Sequence, residues 1–380
     1  MLNQTDTIKY TIQGFDNEKY FKLQSKGIKE RMAEFSDGKL YLEIGGKFFH
    51  DPHAARVLPG FDSKVKIRIF KEFKDIAELV FCINYKDVIS NRQLKNTAIP
   101  YTEASFEMLD SFNKHLGMKP NIAINLIEDA ENQILKAYIT QLEEKGYTVF
   151  KRYFINGYPD NTEQILSGKG YGKDDYIETD KKLILVTGAA SNSGKMSTCL
   201  GQIYQDTQKD LKSGYAKYET FPISELPLNH PINLAYEAAT ADIGDYNMID
   251  VFHQKAYNIE AVNYNRDLKA FKIIQSLKDG LIKRGNFMNT YKSPTDMGIS
   301  FSAEAITNDE VVSIASYREI DRRKEWYKQI VERGGGDGAW ILKCEELEQK
   351  AEGYIKEKGY DLNLVIEPID PSSSGSHPPA

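Results

Sequence analysis

Short apolar runs that alternate with amphipathic segments are the feature that most constrains the fold of this 380-residue chain. Runs rich in β-branched and aromatic residues recur at 77–84, 121–127, 148–155 and 182–188, and segments with helical spacing separate most of them. This rhythm is typical of parallel strands joined by right-handed helical crossovers. The sequence therefore predicts an α/β fold with a mostly parallel, doubly wound sheet.

The strand rhythm weakens beyond about residue 220, where the patterns become mainly helical. We predict four parts: an α/β domain with a phosphate-binding loop at 1–215, a mainly helical part that completes the cleft at 216–333, a short C-terminal segment at 334–369 and a disordered tail at 370–380. The tail is assigned from its Ser, Pro and Gly content.

Charge and cysteine content narrow the class of protein. The chain has 49 Lys and Arg residues against 55 Asp and Glu, a net charge of −6, which argues against binding to nucleic acid. Its three cysteines match no CxxC pair, so neither a disulfide framework nor a thiolate metal site is indicated. No leader-like start and no apolar run of membrane-spanning length are found. We expect a cytoplasmic protein without a membrane partner, for which a homodimer is the commonest assembly.

The strongest chemical motif is LILVTGAASNSGKMSTCLGQIY at 183–204, where a buried strand, a small-residue loop and a helix follow one another. Inward-facing amides and the positive end of a helix favour a bound phosphate. We therefore predict a nucleotide-hydrolase-like phosphate loop at 188–198. The predicted nucleotide-binding residues are Gly188, Ser191, Asn192, Ser193, Gly194, Lys195, Ser197 and Thr198.

ATP and Mg²⁺ are the cofactors that this motif predicts. Lys195 is expected to neutralise charge at the phosphates, Ser197 or Thr198 and Asp242 to ligate Mg²⁺, and Glu237 to serve as a second catalytic carboxylate. The loop is one residue longer than the usual Gly-x4-Gly-Lys-Ser/Thr pattern, and Met follows its lysine. The alternative interpretation is an ordinary strand-to-helix turn with a solvated lysine.

Other cationic and glycine-rich segments are predicted to hold a small anionic substrate. One is a second glycine loop after the run LYLEI, and another is the polar segment SGKGYGKDDY, a candidate lid. A metal site at His50, Asp51 and His53 is a weaker alternative, because the HExxH glutamate is missing. The predicted substrate-binding residues are Gly45, Gly46, Lys47, His53, Arg56, Lys169, Lys173 and Arg266.

Several long blocks resemble the bacterial DUF1846 family, also called UPF0371. They include the segment beginning GFDNEKYFKLQSKGIKERMAEF, the block GYPDNTEQILSGKGYGKDDYIET, the motif VTGAASNSGKMSTCLGQIY and the block ending in VNYNRD, within residues 14–325. The resemblance implies a nucleotide-hydrolase-like α/β domain and names no reaction. Family members usually continue with a further α/β domain, so the resemblance also implies that this chain is shortened or diverged at its C-terminal end.

Two functions from different classes remain after these steps. The first is an ATP-dependent enzyme that transfers a phosphoryl group to, or ligates, a small metabolite. The alternative is a sensor or scaffold protein that binds a nucleotide or phosphometabolite without turnover. A dinucleotide-dependent oxidoreductase is a third and weaker reading, because neither glycine loop spells GxGxxG.

Overall fold

The computed structural model of the protein describes residues 9–93, 99–190 and 192–369. The predicted disordered tail at 370–380 and the predicted phosphate ligand Ser191 lie outside these residues. The described α-helices are α1 (Asn17–Ala33), α2 (Pro52–Val57), α3 (Val65–Phe73), α4 (Tyr85–Ser90), α5 (Tyr101–Leu116), α6 (Gln133–Glu144), α7 (Thr162–Ile165), α8 (Lys195–Gln208), α9 (Pro231–Ala239), α10 (Val251–Tyr257), α11 (Asn265–Leu281), α12 (Pro294–Met297), α13 (Asp309–Glu332) and α14 (Ala339–Lys358).

The described strands are β1 (Lys9–Tyr10), β2 (Leu40–Ile44), β3 (Ala77–Asn84), β4 (Asn121–Ile127), β5 (Val149–Tyr153), β6 (Leu183–Gly188), β7 (Gly214–Tyr218), β8 (Asn247–Ile249), β9 (Val262–Tyr264), β10 (Gly298–Ile299) and β11 (Pro368–Ile369). Among these residues, seven strands form one parallel sheet in the order β10-β7-β2-β6-β3-β4-β5. Two antiparallel pairs, β1 with β11 and β8 with β9, lie outside it. The predicted α/β class with a parallel sheet is confirmed.

Side chains pack on both sides of this sheet because helices cover each face. On one face α3 contacts α1 and α5, and α4 contacts α5 and α6; on the other, α8 lies on β2, β6 and β7 and contacts α11. Central strands between two helical layers are apolar along their length, which is why β3 and β4 appear in the sequence as continuous apolar runs. β6 leads into α8 and β3 into α4, so the connections of these neighbouring strands diverge to opposite faces. In open α/β sheets, ligands usually bind outside the carboxyl ends of the strands, at a point of such divergence.

A buried carboxylate ties the opposite, amino edge of the sheet together. Asp206, near the end of α8, is fully buried and accepts hydrogen bonds from the hydroxyl groups of Tyr41 (2.9 Å), Tyr176 (2.5 Å) and Ser213 (2.6 Å). The ammonium group of Lys39 lies 3.4 Å from the same carboxylate. A buried charge with this many partners fixes how the helix meets the strands.

The predicted division of the chain at 215/216 falls inside β7, and β10 at 298–299 joins the same sheet. The sheet therefore draws its strands from both sides of the predicted boundary. The remainder of the second half is mainly helical, as expected, and α14 in the predicted C-terminal segment packs on α13 and α9.

Candidate functional site

Two asparagine side chains from neighbouring strands hold the predicted phosphate loop. The Nδ2 group of Asn84, the last residue of β3, donates to the carbonyl oxygen of Asn192 at 2.9 Å. The Nδ2 group of Asn125, in β4, donates to the carbonyl oxygen of Ser193, also at 2.9 Å. Both carbonyl groups of the loop are thus directed toward the ends of β3 and β4.

This bracing also sets the direction of the loop amides. In a trans peptide the C=O of one residue and the N–H of the next point in opposite directions. The amides of Ser193 and Gly194 therefore point away from β3 and β4, and no acceptor for them is recorded within the described part of the chain. The first amides of α8 have no partner within the helix either, and they add the positive end of its dipole.

Close packing explains the small residues of the loop. A Cβ atom on Gly188 would lie 2.0 Å from the Ser193 hydroxyl oxygen and 3.1 Å from the Cys82 carbonyl oxygen. Gly194 has a φ of +84°, and a Cβ atom there would lie 2.8 Å from Asn125. The loop conformation that directs the amides of Ser193 and Gly194 away from β3 and β4 therefore requires glycine at both positions.

Thr198 and Ser197, the two residues predicted to offer hydroxyl ligands at the start of α8, make different contacts with the protein. Thr198 is fully buried, and its hydroxyl group donates to Oδ1 of Asn125 at 2.9 Å, which fixes the orientation of that carboxamide. The carbonyl oxygen of Ser197 accepts from Nη2 of the buried Arg152 at 3.1 Å. Thr198 therefore supports the loop from beneath, and its hydroxyl is already committed to a protein partner.

Lys195, the first residue of α8, reaches across to β2. Its Nζ lies 3.9 Å from Oε1 of Glu43, and the hydroxyl group of Tyr215 donates to the other carboxylate oxygen of Glu43 at 2.8 Å. The Lys195 side chain keeps 18% of its surface exposed. The lysine is thus loosely paired at the carboxyl edge and retains contact with solvent.

A second set of charges lies beside this pair at the end of β7. Lys217 is the register partner of Glu43 and forms ion pairs with Glu219 and Asp267. Arg266, one of the predicted substrate-binding residues, pairs with Asp245 at 2.7 Å. Burial raises the pKa of Glu219 to about 7, although the positive charge of Lys217 opposes the shift. A carboxyl group that titrates near neutral pH can act as a general acid or base.

Glu219 should make stability depend on pH. Because its pKa rises from 4.5 to about 7 on folding, the stability from its bound proton is complete below about pH 4.5 and is lost as pH rises through 7. The difference in unfolding free energy between the wild type and Glu219→Gln should therefore fall between these limits, with a slope of at most about 1.4 kcal/mol per pH unit for one proton. Urea titrations from pH 5 to 8 measure it, and parallel pH curves for the two proteins would refute the assignment.

The second predicted glycine loop, at 45–47, follows β2 at the same edge of the sheet. It is braced from below by Lys66, a buried lysine whose Nζ donates to the carbonyl oxygens of Gly45 (3.4 Å) and Lys47 (3.1 Å). Gly46 has a φ of +66°, and the Lys47 side chain is exposed. The two predicted glycine loops thus follow adjacent strands, β2 and β6.

His53 and Arg56, predicted to bind substrate, both contact Glu319 of α13. His53 Nδ1 and Arg56 Nε each lie 2.8 Å from a carboxylate oxygen of Glu319. Desolvation lowers the pKa of His53, so the neutral ring donates from Nδ1 to the carboxylate. Asp51, another ligand of the weaker metal alternative, is also engaged by the protein. Its carboxylate caps α2 by accepting a hydrogen bond from the Ala54 amide at 3.1 Å.

The remaining predicted residues contact other parts of the chain. Glu237 pairs with Lys343 of α14 at 2.9 Å, and Asp242 accepts from the hydroxyl group of Tyr327 at 3.4 Å. Lys169 and Lys173 are exposed on a segment that packs along α8, and the Lys173 ammonium stands 3.9 Å from the Tyr153 ring centroid. For Glu237, Lys169 and Lys173, no contact with the loop is recorded within the described residues.

Two kinds of feature are absent from the described residues. No group of three or more His, Cys, Asp or Glu side chains there is arranged to hold a metal ion. In the same residues, no helix combines the length and the apolar character needed to cross a bilayer.

Sequence reasoning missed the residues that support the site from below. Asn84 and Asn125 are polar positions inside the apolar runs AELVFCIN and NIAINLI, and a carboxamide at such a position is a usable signal. Lys66 and Glu319 carried no comparable signal, since each lies in an ordinary amphipathic helix pattern.

Fold and site together define an α/β protein with a parallel sheet, two glycine loops and a charged cluster at the carboxyl edge. The chain belongs to the DUF1846 family: the family model described as "Domain of unknown function DUF1846, N-terminal" matches residues 13–352. The resemblance seen in the sequence is thereby confirmed.

Curated relatives bear only the family designation UPF0371. The chain is 45% identical to the UPF0371 protein of Corynebacterium aurimucosum, 42% identical to that of Corynebacterium urealyticum and 43% identical to one of Streptococcus pyogenes, each over 319 residues. These alignments cover 84% of this chain and 62–63% of the relatives. The chain thus spans less than two thirds of the length of the relatives it matches.

Proposed function

We propose that the protein binds a nucleotide, ATP in the first instance, with its phosphates against the loop 188–198. The observation that carries this proposal is the pair of carboxamides, Asn84 and Asn125, that turn the loop carbonyls toward β3 and β4 and leave the amides of Ser193 and Gly194 without a protein acceptor among the described residues. Free amides at the N-terminal end of a helix, beside a lysine, favour phosphate binding.

The reaction class that we propose is phosphoryl transfer to, or ligation of, a small anionic metabolite. Bound ATP would supply the phosphoryl group. Lys195 stabilises negative charge at the phosphates, and it can leave Glu43 at 3.9 Å at small cost. Glu219 accepts or donates a proton at neutral pH, while Lys47 and Arg266 attract the anionic acceptor.

Magnesium has no step in this proposal. The carboxylate of Asp242, one predicted ligand, accepts a hydrogen bond from the hydroxyl group of Tyr327 in α13. The Thr198 hydroxyl is committed to Asn125. Mg²⁺ ligation by Ser197 and Asp242 stays a prediction.

Calorimetric titration with ATP tests the role of Lys195. Lys195→Ala removes the ammonium group from the start of α8, and we expect ATP affinity to fall about tenfold to a hundredfold, the loss typical of one charge-assisted contact. Titrations with and without Mg²⁺ show whether the contribution of the lysine to ATP affinity depends on the metal.

Lys209→Ala is the matched control, because Lys209 is exposed just beyond the other end of the same helix. It should leave the affinity unchanged. Equal ATP affinity for the wild type and Lys195→Ala would defeat the proposed role of the lysine, and absence of ATP binding by the wild type would defeat the proposal as a whole.

A ligand sensor without turnover is the second candidate. It is favoured by the internal pairing of the cations: Lys195 lies beside Glu43, and Lys217 is shared by Glu219 and Asp267. Such pairing stabilises the empty site and reduces the charge available for catalysis. Recovery of an intact nucleotide in stoichiometric amount from the purified protein, with no phosphate release on incubation, would favour this candidate over the enzyme.

A further inference from the structure

A small cleft between α2 and α13 carries an unusual density of arginine. Its volume is about 140 Å³, and its lining includes Tyr10, Arg56, Arg318, Glu319, Arg322 and Ile366. No described residue of the loop 188–198 lines it. Pockets that bury a whole drug-sized ligand measure roughly 300–1,000 Å³, so a cleft of this size suits a single compact group.

One buried carboxylate organises the arginines. Glu319 is 3% exposed and accepts four hydrogen bonds: one from His53 (2.8 Å), one from Nε of Arg56 (2.8 Å), and two from Nε and Nη2 of Arg322 (both 2.6 Å). These donors hold the pKa of Glu319 well below its usual range in spite of its burial. Glu319 is therefore charged at neutral pH, and its oxygens are fully occupied by protein donors.

The cleft keeps a surplus of positive charge after this pairing. Arg56, Arg318 and Arg322 line the cleft together with one carboxylate, Glu319, so the lining carries a net charge of +2 because arginine stays protonated. Each guanidinium has five N–H donors, and Arg56 gives only its Nε to Glu319 in the recorded bonds. Arg56 and Arg322 keep 24% and 45% of their side-chain surface exposed, so the unused donors can reach a ligand from solvent.

Tyr10 adds a neutral donor to the wall of the cleft. Burial raises the pKa of its hydroxyl group to about 12, so the group stays protonated at neutral pH and can donate to an anion. Tyr10 belongs to β1, which pairs with β11, and Ile366 precedes β11. The two ends of the described chain thus form one side of the cleft.

From this cleft, its surplus charge and its preset donors, we propose a second anion site that binds phosphate or the phosphate group of a small phosphorylated metabolite. Planar arginine forks match the oxygens of a phosphate, and the fixed carboxylate of Glu319 holds two of them in place before binding. Glu319 and His53 act as positioning residues that do not touch the ligand. The site is separate from the loop 188–198, so the proposal does not depend on ATP binding there.

Titration of the full chain with inorganic phosphate and with glycerol 3-phosphate, followed by calorimetry, tests the site. Arg322→Gln and Arg318→Gln each remove one exposed guanidinium and leave Glu319 paired with Arg56 and His53. We expect each to weaken binding about tenfold or more. Arg333→Gln, an exposed arginine at the end of the same helix, should bind like the wild type, and so should Lys195→Ala.

Thermal unfolding gives a second measurement on the same proteins. Phosphate should raise the melting temperature of the wild type and of Arg333→Gln more than that of Arg322→Gln. The ligand that binds more tightly identifies the source of the phosphate group, either free phosphate or a phosphorylated metabolite. The proposed site is supported whichever of the two binds more tightly. Absence of binding up to about 10 mM, or binding that Lys195→Ala abolishes and Arg322→Gln leaves unchanged, would overturn it.

Discussion

Arg152→Met should lower the free energy of unfolding by about 3–5 kcal/mol, the cost typical of leaving one charge of a buried pair without its partner. Arg152 is 2% exposed in β5, and its Nη2 lies 2.8 Å from Oδ2 of Asp174. The same guanidinium supports the Ser197 carbonyl at the start of α8. Urea denaturation at pH 7 measures the loss.

Two comparisons sharpen this expectation. Arg92→Met breaks a pair whose arginine is 42% exposed, so it should cost less than about 1 kcal/mol. In Arg152→Met/Asp174→Asn the stranded carboxylate is also removed, so part of the stability should return. A loss below about 1 kcal/mol for Arg152→Met alone would show that the pair contributes no more than a surface one.

Gly188→Ala should disrupt the loop 188–198, which we propose binds phosphate. The new Cβ atom would meet the Ser193 hydroxyl oxygen at 2.0 Å, which forces the loop away from Asn84 and Asn125. We expect ATP binding to be lost and stability to fall by about 1–3 kcal/mol, the usual cost of overpacking. Calorimetry with ATP and urea denaturation measure the two effects.

Rescue and control variants distinguish this clash from a general effect of adding a methyl group. Gly188→Ala/Ser193→Gly removes the hydroxymethyl group that the new Cβ meets, so part of the stability should return. Gly168→Ala adds a methyl group where no atom lies within 4 Å, and it should be neutral. If Gly188→Ala binds ATP as the wild type does, the loop conformation does not matter for the ligand.

Apolar patterning predicted the centre of the sheet closely, because strands covered on both faces need a continuous apolar sequence. The predicted runs 77–84 and 121–127 coincide with β3 and β4. Next to the edge strand β10 the same pattern is lost. β7 is only five residues long and includes the charged Lys217, whose partners Glu219 and Asp267 are brought close by the fold.

Residues far apart in the sequence explain most of what the site analysis could not predict. Both glycine loops were expected to lie at strand ends, and they follow adjacent strands. The partner of His53 and Arg56 is Glu319, more than 260 residues away along the chain, and only the packing of α13 against α2 brings them together. Local periodicity gives the faces of helices and carries no information on which helices meet.

The polar groups at the two edges of the parallel sheet differ in how fully they are hydrogen-bonded within the protein. At the amino edge, Asp206 is saturated by hydroxyl groups and a lysine, so substitutions there should change melting behaviour and leave ligand affinity largely alone. At the carboxyl edge, the amides of Ser193 and Gly194 have no acceptor recorded among the described residues and Lys195 is only loosely paired, so replacing that lysine should mainly change ligand affinity. Directed evolution of this scaffold could therefore improve thermal stability through the amino edge and alter ligand binding through the carboxyl edge, almost independently.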